Sequence, residues 1–161
     1  MQLAPIPKNE KERMEALKRL AILDTKPEKR FDVLTEEAAK ELRVPMAMIS
    51  ILDSKREWYK SCIGLKKREN ARSLSFCGHA LLATDIFIVG DTLKDPRFFD
   101  NPMVTDSPFI RFYAGIALHD KKTSLPIGVF CVRDIKPRVF SAKETAVLLD
   151  LAERAEKELN K

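Results

Sequence analysis

Ser75-Phe76-Cys77-Gly78-His79 sets a thiol and an imidazole two positions apart at the start of an apolar run. With Ser75 as the capping residue of a short helix predicted over about 75–83, Cys77 falls in the first turn. Free amides and the helix dipole favour a thiolate there. Residues i and i+2 of a helix diverge, so Cys77 and His79 do not form a nucleophile–base pair with each other. The plainer reading, a buried small thiol beside a hydrogen-bonded imidazole, is the expected one.

A metal centre needs three or four convergent ligands, and Cys-Gly-His supplies at most two, at a spacing unlike the common zinc pairs. No metal and no cofactor is expected. The chain has five glycines and neither a phosphate loop nor a dinucleotide fingerprint among them, which argues against nucleotide hydrolysis and dinucleotide redox chemistry. A second constellation is more suggestive of binding. Asp91, Asp95, Arg97 and Phe98 open an irregular stretch reaching Pro108, and Arg111-Phe112-Tyr113-Ala114-Gly115 follows it. A few polar groups among apolar walls are what orients a ligand in a pocket. The candidate ligand-binding set is Trp58, Phe76, Cys77, His79, Asp91, Phe98, Arg111 and Tyr113, expected to converge on one concavity. Against it, Asp-Pro and Asn-Pro start turns, and strand aromatics commonly fill core.

These side chains need a frame. Residues 9–23 pattern as an amphipathic helix with Asn9 as cap and Glu12 reaching back, and Thr25-Lys26-Pro27-Glu28 repeats the capping pattern. Phe31, Leu34, Ala38 and Leu42 form the apolar stripe of a second helix, which Val44-Pro45 stops. Met46–Leu52, Trp58–Ile63, Ile86–Val89, Arg111–His119 and Ile127–Arg133 read as five strands, with hairpin-length links in the first and last pairs. Ser141-Ala142-Lys143-Glu144 is a capping box opening a helix to about Asn160. On it, Leu148, Ala152, Ala155 and Leu159 make the seam of a helix packed on helices, in the same protomer or across a dimer.

A chain of 161 residues, 45% apolar and 33% charged, suits one globular domain. Lys and Arg number 29 against 24 Asp and Glu, for a net charge of +5, and the signs alternate along the chain. Only Lys66-Lys67-Arg68 and Lys121-Lys122 cluster tightly, each where a turn is predicted, so nucleic-acid binding is not expected. Three separated cysteines, a start without an apolar core and no run long enough to cross a bilayer predict a cytoplasmic protein with no membrane partner.

Taken in order, the segments resemble a GAF domain of the bacterial signalling type, the kind found before diguanylate cyclases and histidine kinases. The resemblance is carried by Arg30-Phe31-Asp32-Val33-Leu34-Thr35, by Ile51-Leu52-Asp53 with Glu57-Trp58-Tyr59-Lys60-Ser61 and Gly64-Leu65, and by Ser75-Phe76-Cys77-Gly78-His79-Ala80. Asp95-Pro96-Arg97-Phe98 with Asn101-Pro102, Arg111-Phe112-Tyr113-Ala114-Gly115, and Ile127-Gly128-Val129-Phe130-Cys131-Val132 through Pro137-Arg138 continue it. It spans residues 13–159. It implies an α+β fold in three layers, α/β/α, with a central antiparallel sheet of five or six strands. The terminal helices would cover one face and a ligand pocket the other. Residues 1–8 are expected to be a tail and 9–161 a single GAF-like domain. Gly78 separates Cys77 from His79, whereas bilin-binding relatives attach chromophore at a Cys followed directly by His, so no chromophore is implied.

The function this implies is a stand-alone sensory domain. It would bind an unknown small-molecule ligand, form a homodimer through its terminal helices with Leu17, Leu148, Ala152, Ala155 and Leu159 in the interface, and signal to a separate partner protein. Two alternatives compete: a thiol-based redox protein such as a GAF-type free methionine-(R)-sulfoxide reductase, and a ligand-free scaffold whose pocket is filled by its own side chains. The first is disfavoured because Cys62, Cys77 and Cys131 lie far apart in sequence.

Overall fold

The computed structural model describes residues 1–161. Its strands are β1 (Met46–Leu52), β2 (Arg56–Ile63), β3 (Glu69–Ala71), β4 (Phe87–Val89), β5 (Phe112–His119) and β6 (Pro126–Asp134). They form one six-stranded sheet in the order β3-β2-β1-β6-β5-β4, with every neighbouring pair antiparallel. The helices α1 (Glu10–Leu20), α2 (Lys29–Leu42) and α5 (Ala142–Leu159) cover one face, and the short helices α3 (Phe76–Ala80) and α4 (Pro102–Thr105) lie over the other. The three-layer α+β architecture is as expected. No helix is long and apolar enough to cross a membrane.

Alternation along the strands divides the interior in two. Ala47, Ile49 and Ile51 of β1, Phe112 and Ala114 of β5, and Phe130 and Val132 of β6 face the long helices. Met46, Met48, Tyr59, Tyr113, Val129 and Cys131 face α3 and α4. Between β1 and β2 the register passes from Ile49↔Ser61 to Ser50↔Tyr59, which leaves Lys60 as an extra residue. That bulge turns Lys60 toward the helix layer, where its ammonium reaches the Thr25 hydroxyl at 2.7 Å and the Lys26 carbonyl at 2.6 Å.

Of the predicted caps, only one forms as a reciprocal box. Ser141 Oγ accepts from the Glu144 amide and the Ser141 amide donates to Glu144 Oε1, both at 3.1 Å. Asn9 makes no side-chain cap, and Thr25, four residues before α2 starts, donates its hydroxyl instead to the Ile22 carbonyl at 2.6 Å. The stretch from Asp91 to Pro108 is not structureless. It contains a 3-10 turn at Thr92–Lys94, capped by Asp91, and α4, capped by Asn101. Strand β3 was not predicted, because three residues carry no alternation; pairing with Arg56–Trp58 makes it a strand.

The helix seam also resolves differently. Leu148, Ala152, Ala155 and Leu159 pack inside the protomer with Leu17, Phe31, Leu34 and Ala38, and the main helical neighbour of α5 is α2 rather than α1. The expected placement of Leu17, Leu148, Ala152, Ala155 and Leu159 in an interface is therefore corrected: the protomer already buries these five side chains, whereas outer-face residues such as Val33 and Leu149 are exposed.

Residues 1–8 are not a free tail. The Gln2 amide donates to the Arg97 carbonyl and the Ala4 amide to the Ser73 carbonyl, each at 2.9 Å. Ala4 is buried against α3 at Gly78, where an added Cβ would come within 2.5 Å of the Ala4 methyl. Glycine at 78 is what lets the segment lie so close.

Candidate functional site

Charged side chains at fully buried strand positions are unusual, and β2 and β6 both carry them. Glu57 of β2 and Arg133 of β6 are fully buried, and Arg133 Nη2 donates to Glu57 Oε1 at 2.6 Å. The Ser50 hydroxyl donates to the same oxygen at 3.2 Å. The guanidinium lies between two phenol rings, 5.9 Å from the Tyr59 centroid and 5.6 Å from that of Tyr113. Glu57 Oε2 and Arg133 Nε and Nη1 have no hydrogen-bond partner. Buried polar groups are nearly always satisfied, so an acceptor and two donors left open together mark a place where something else can bind. Burial opposes the charge on Arg133, but Cys131 and Glu57 outweigh it and hold the side chain as a cation.

Two thiols complete the cluster. Cys77 hangs from α3 toward the sheet, and Cys131 rises from β6 to meet it with the sulfurs 3.6 Å apart. The Tyr113 hydroxyl donates to Cys77 Sγ at 3.0 Å, and Arg133 Nη2 lies 3.5 Å from the same sulfur. Burial disfavours a thiolate at either residue. At Cys131 the Cys77 thiol and the Arg133 cation overcome it and bring the pKa to about 7. At Cys77, burial and the neighbouring sulfur raise it. One negative charge is thus favoured on the pair and a second is suppressed. Burial also pushes the Tyr113 phenol up, so it acts as a neutral donor.

Tyr59 connects this cluster to the surface. It forms part of the wall of a cleft of 480 Å³ between the β2–β3 turn and α4, lined also by Leu65, Lys66, Lys67, Asn70, Met103 and Pro108. The carboxylate on that wall, Glu69, is held by Arg56 at 2.8 Å, which leaves the two lysines to set the charge of the mouth. A wider depression of 590 Å³ lies between the β5–β6 loop and the end of α5. It has no apolar side chain, and Asn160 and Glu156 spend their polar groups on His119 and Lys121. That makes it a wet groove, poorly suited to enclosing a ligand.

The predicted site residues separate into groups. Phe76, Cys77, Phe98 and Tyr113 come together over the sheet, as expected, with His79 at their edge. They form a packed stack rather than a concavity. The Phe76 and Phe98 centroids are 4.4 Å apart and nearly parallel, Phe76 and Tyr113 are 5.3 Å apart, and His79 meets Phe98 edge-on at 4.8 Å. Trp58 belongs to the opposite face, in the core under the long helices, because it is one residue out of phase with Tyr59. Asp91 caps a turn through the Leu93 amide. Arg111 donates to the Val104 carbonyl at 2.9 Å, tying down the end of α4. The expected single concavity of these eight residues is therefore not formed.

Sequence reasoning missed Glu57, Arg133, Tyr59 and Met103. Local pattern gave little signal, since Glu57 stands just before the predicted strand Trp58–Ile63 and Arg133 at the very end of Ile127–Arg133, where charged residues are ordinary. The same reasoning also set Cys77 and Cys131 apart because 54 positions separate them, whereas folding places them in contact. Cys77 itself is buried, as the plainer reading expected, and Ser75 caps α3 by accepting from the Gly78 amide at 3.0 Å.

The GAF domain profile matches residues 26–159. A cyclic di-GMP phosphodiesterase of Pseudomonas aeruginosa, PA2567, is 37% identical over 150 residues, covering 93% of this chain and 25% of that protein. The chain thus spans a quarter of that relative's length. Among solved structures, the GAF domain of an Acinetobacter phosphoenolpyruvate-protein phosphotransferase superposes with a TM-score of 0.63 at 18% identity, over 92% of each chain. The type II free methionine-R-sulfoxide reductase of Thermoplasma acidophilum superposes with a TM-score of 0.65 at 15% identity, over 81% of this chain and 89% of that one. At such identities the two structures show the fold alone.

Proposed function

The chain belongs to the GAF domain family, and from that premise we propose that it is a sensory module binding an anionic small molecule in the Tyr59 cleft. The observation that carries this reading is the Arg133–Glu57 pair behind Tyr59, fully buried and with three polar atoms unpartnered. Burying an ion pair rarely improves stability over apolar residues of the same volume, so stability gives no reason for the pair. A ligand anchored by Lys66 and Lys67 at the mouth, and reaching the guanidinium past a rotated Tyr59 ring, would satisfy its free donors. A ligand group that also donates a hydrogen bond would satisfy Glu57 Oε2. The similarity to a quarter of a cyclic di-GMP phosphodiesterase supports a regulatory role in cyclic di-GMP signalling, exerted on a partner protein.

Thermal shift tests this with four probes: inorganic phosphate, a dicarboxylate, a nucleoside monophosphate and a cyclic dinucleotide. At least one is expected to raise the melting temperature, and the rise is expected to shrink in Lys66→Ala/Lys67→Ala, whose substitutions are exposed and leave the fold intact. No stabilisation by any probe, together with no small molecule released from the purified protein in native mass spectrometry, would overturn the reading.

A further inference from the structure

We propose that Cys77 and Cys131 form a redox couple, oxidised to an intramolecular disulfide by hydrogen peroxide. The proposal does not depend on ligand binding in the cleft. Its basis is geometric: the two sulfurs are in contact at 3.6 Å, while Cys62 lies outside the pair and turns its thiol toward the Leu65 carbonyl. The surroundings supply the two protonation states that the chemistry requires. The Arg133 cation and the Cys77 thiol favour a thiolate on Cys131, and Cys77 stays protonated beside the Tyr113 hydroxyl.

In the first step the Cys131 thiolate attacks one peroxide oxygen. The S–O bond forms, the O–O bond breaks, and the departing hydroxide takes up the proton that Cys131 released on ionising and leaves as water. Sulfur loses two electrons to the peroxide and becomes a sulfenic acid. In the second step the Cys77 sulfur attacks the Cys131 sulfur, the S–S bond forms, and the S–O bond breaks with loss of a second water that carries the Cys77 proton. Two thiols and one peroxide give one disulfide and two waters.

Both thiols are buried, so the peroxide enters when α3 opens locally. That helix has five residues, and Ala4 on Gly78 covers it from outside. Closing the disulfide draws α3 toward β6 and removes the thiolate from beside Arg133, which alters the charge and packing behind Tyr59.

The test is to treat the reduced full chain with hydrogen peroxide, block free thiols with N-ethylmaleimide under denaturing conditions, and map peptides by mass spectrometry without reduction. A crosslinked Cys77–Cys131 peptide that is lost on dithiothreitol treatment is expected, at equal yield in Cys62→Ser. Shortening the chain by residues 1–5 is expected to speed its formation several-fold. Recovery of both Cys77 and Cys131 as maleimide adducts under conditions that oxidise Cys62 would overturn the proposal, as would a disulfide joining Cys62 to either.

Discussion

Replacing Glu57 by leucine leaves the Arg133 guanidinium buried with no carboxylate partner, and replacing Arg133 by methionine strands the Glu57 carboxylate with only the Ser50 hydroxyl. Each single change is expected to cost about 3–5 kcal/mol, the usual penalty for orphaning one member of a buried ion pair. Arg133→Met is held toward the low end because the stranded carboxylate can take up a proton. The double variant Glu57→Leu/Arg133→Met removes both charges and nearly conserves volume, so its cost is expected near about 1–2 kcal/mol, below either single change. Urea denaturation at neutral pH measures all four chains, read by circular dichroism and by Trp58 emission, with the slopes compared to confirm that two-state behaviour is kept. A double variant that costs the sum of the two singles would refute the reasoning, because the residues would then contribute independently and the pair would not be a coupled, desolvated unit.

Ala155→Glu is expected to lower stability by about 3 kcal/mol or more by placing a carboxylate in the core between α2 and α5; light scattering that finds folded monomers beside a dimeric parent would contradict this placement. Gly115→Ala sets a Cβ 2.5 Å from Tyr113 Oη and 2.9 Å from Val129 Cγ1, so a loss of about 1–3 kcal/mol is expected in the urea midpoint. Glu10 is a carboxylate shared by the buried Arg13 and Arg72; burial alone would raise its pKa, but the two guanidiniums bring it down to about 2. Because its folded pKa lies below its unfolded value, its contribution is complete above about pH 4.5 and is lost as pH falls toward 2. Urea titrations at descending pH should show that loss in the parent and a shallower one in Glu10→Gln, and parallel profiles would rule it out.

Local pattern alone was enough to specify most of the frame. Met46–Leu52 reads as a strand because Met46, Met48, Ile49 and Ile51 make a short run rich in β-branched and sulfur-containing residues between turn signals, and the structure has it at the same bounds. The stripe Phe31, Leu34, Ala38 and Leu42 and the box Ser141–Glu144 each lie within a single helix, where spacing and hydrogen bonding are set by near neighbours. The order of motifs was enough to suggest the family. The site was not legible, because it is built by contacts across the sheet. Glu57, Arg133, Cys77 and Cys131 come from β2, β6 and α3, and no periodicity within any one segment reports that they meet. Trp58 was misplaced for the same reason: a period of two assigns alternate strand residues to opposite faces without saying which face the long helices will cover. That choice, and with it the burial of the α5 seam within one protomer, is made only when α2 and α5 pack on the sheet and exclude water from one side of it.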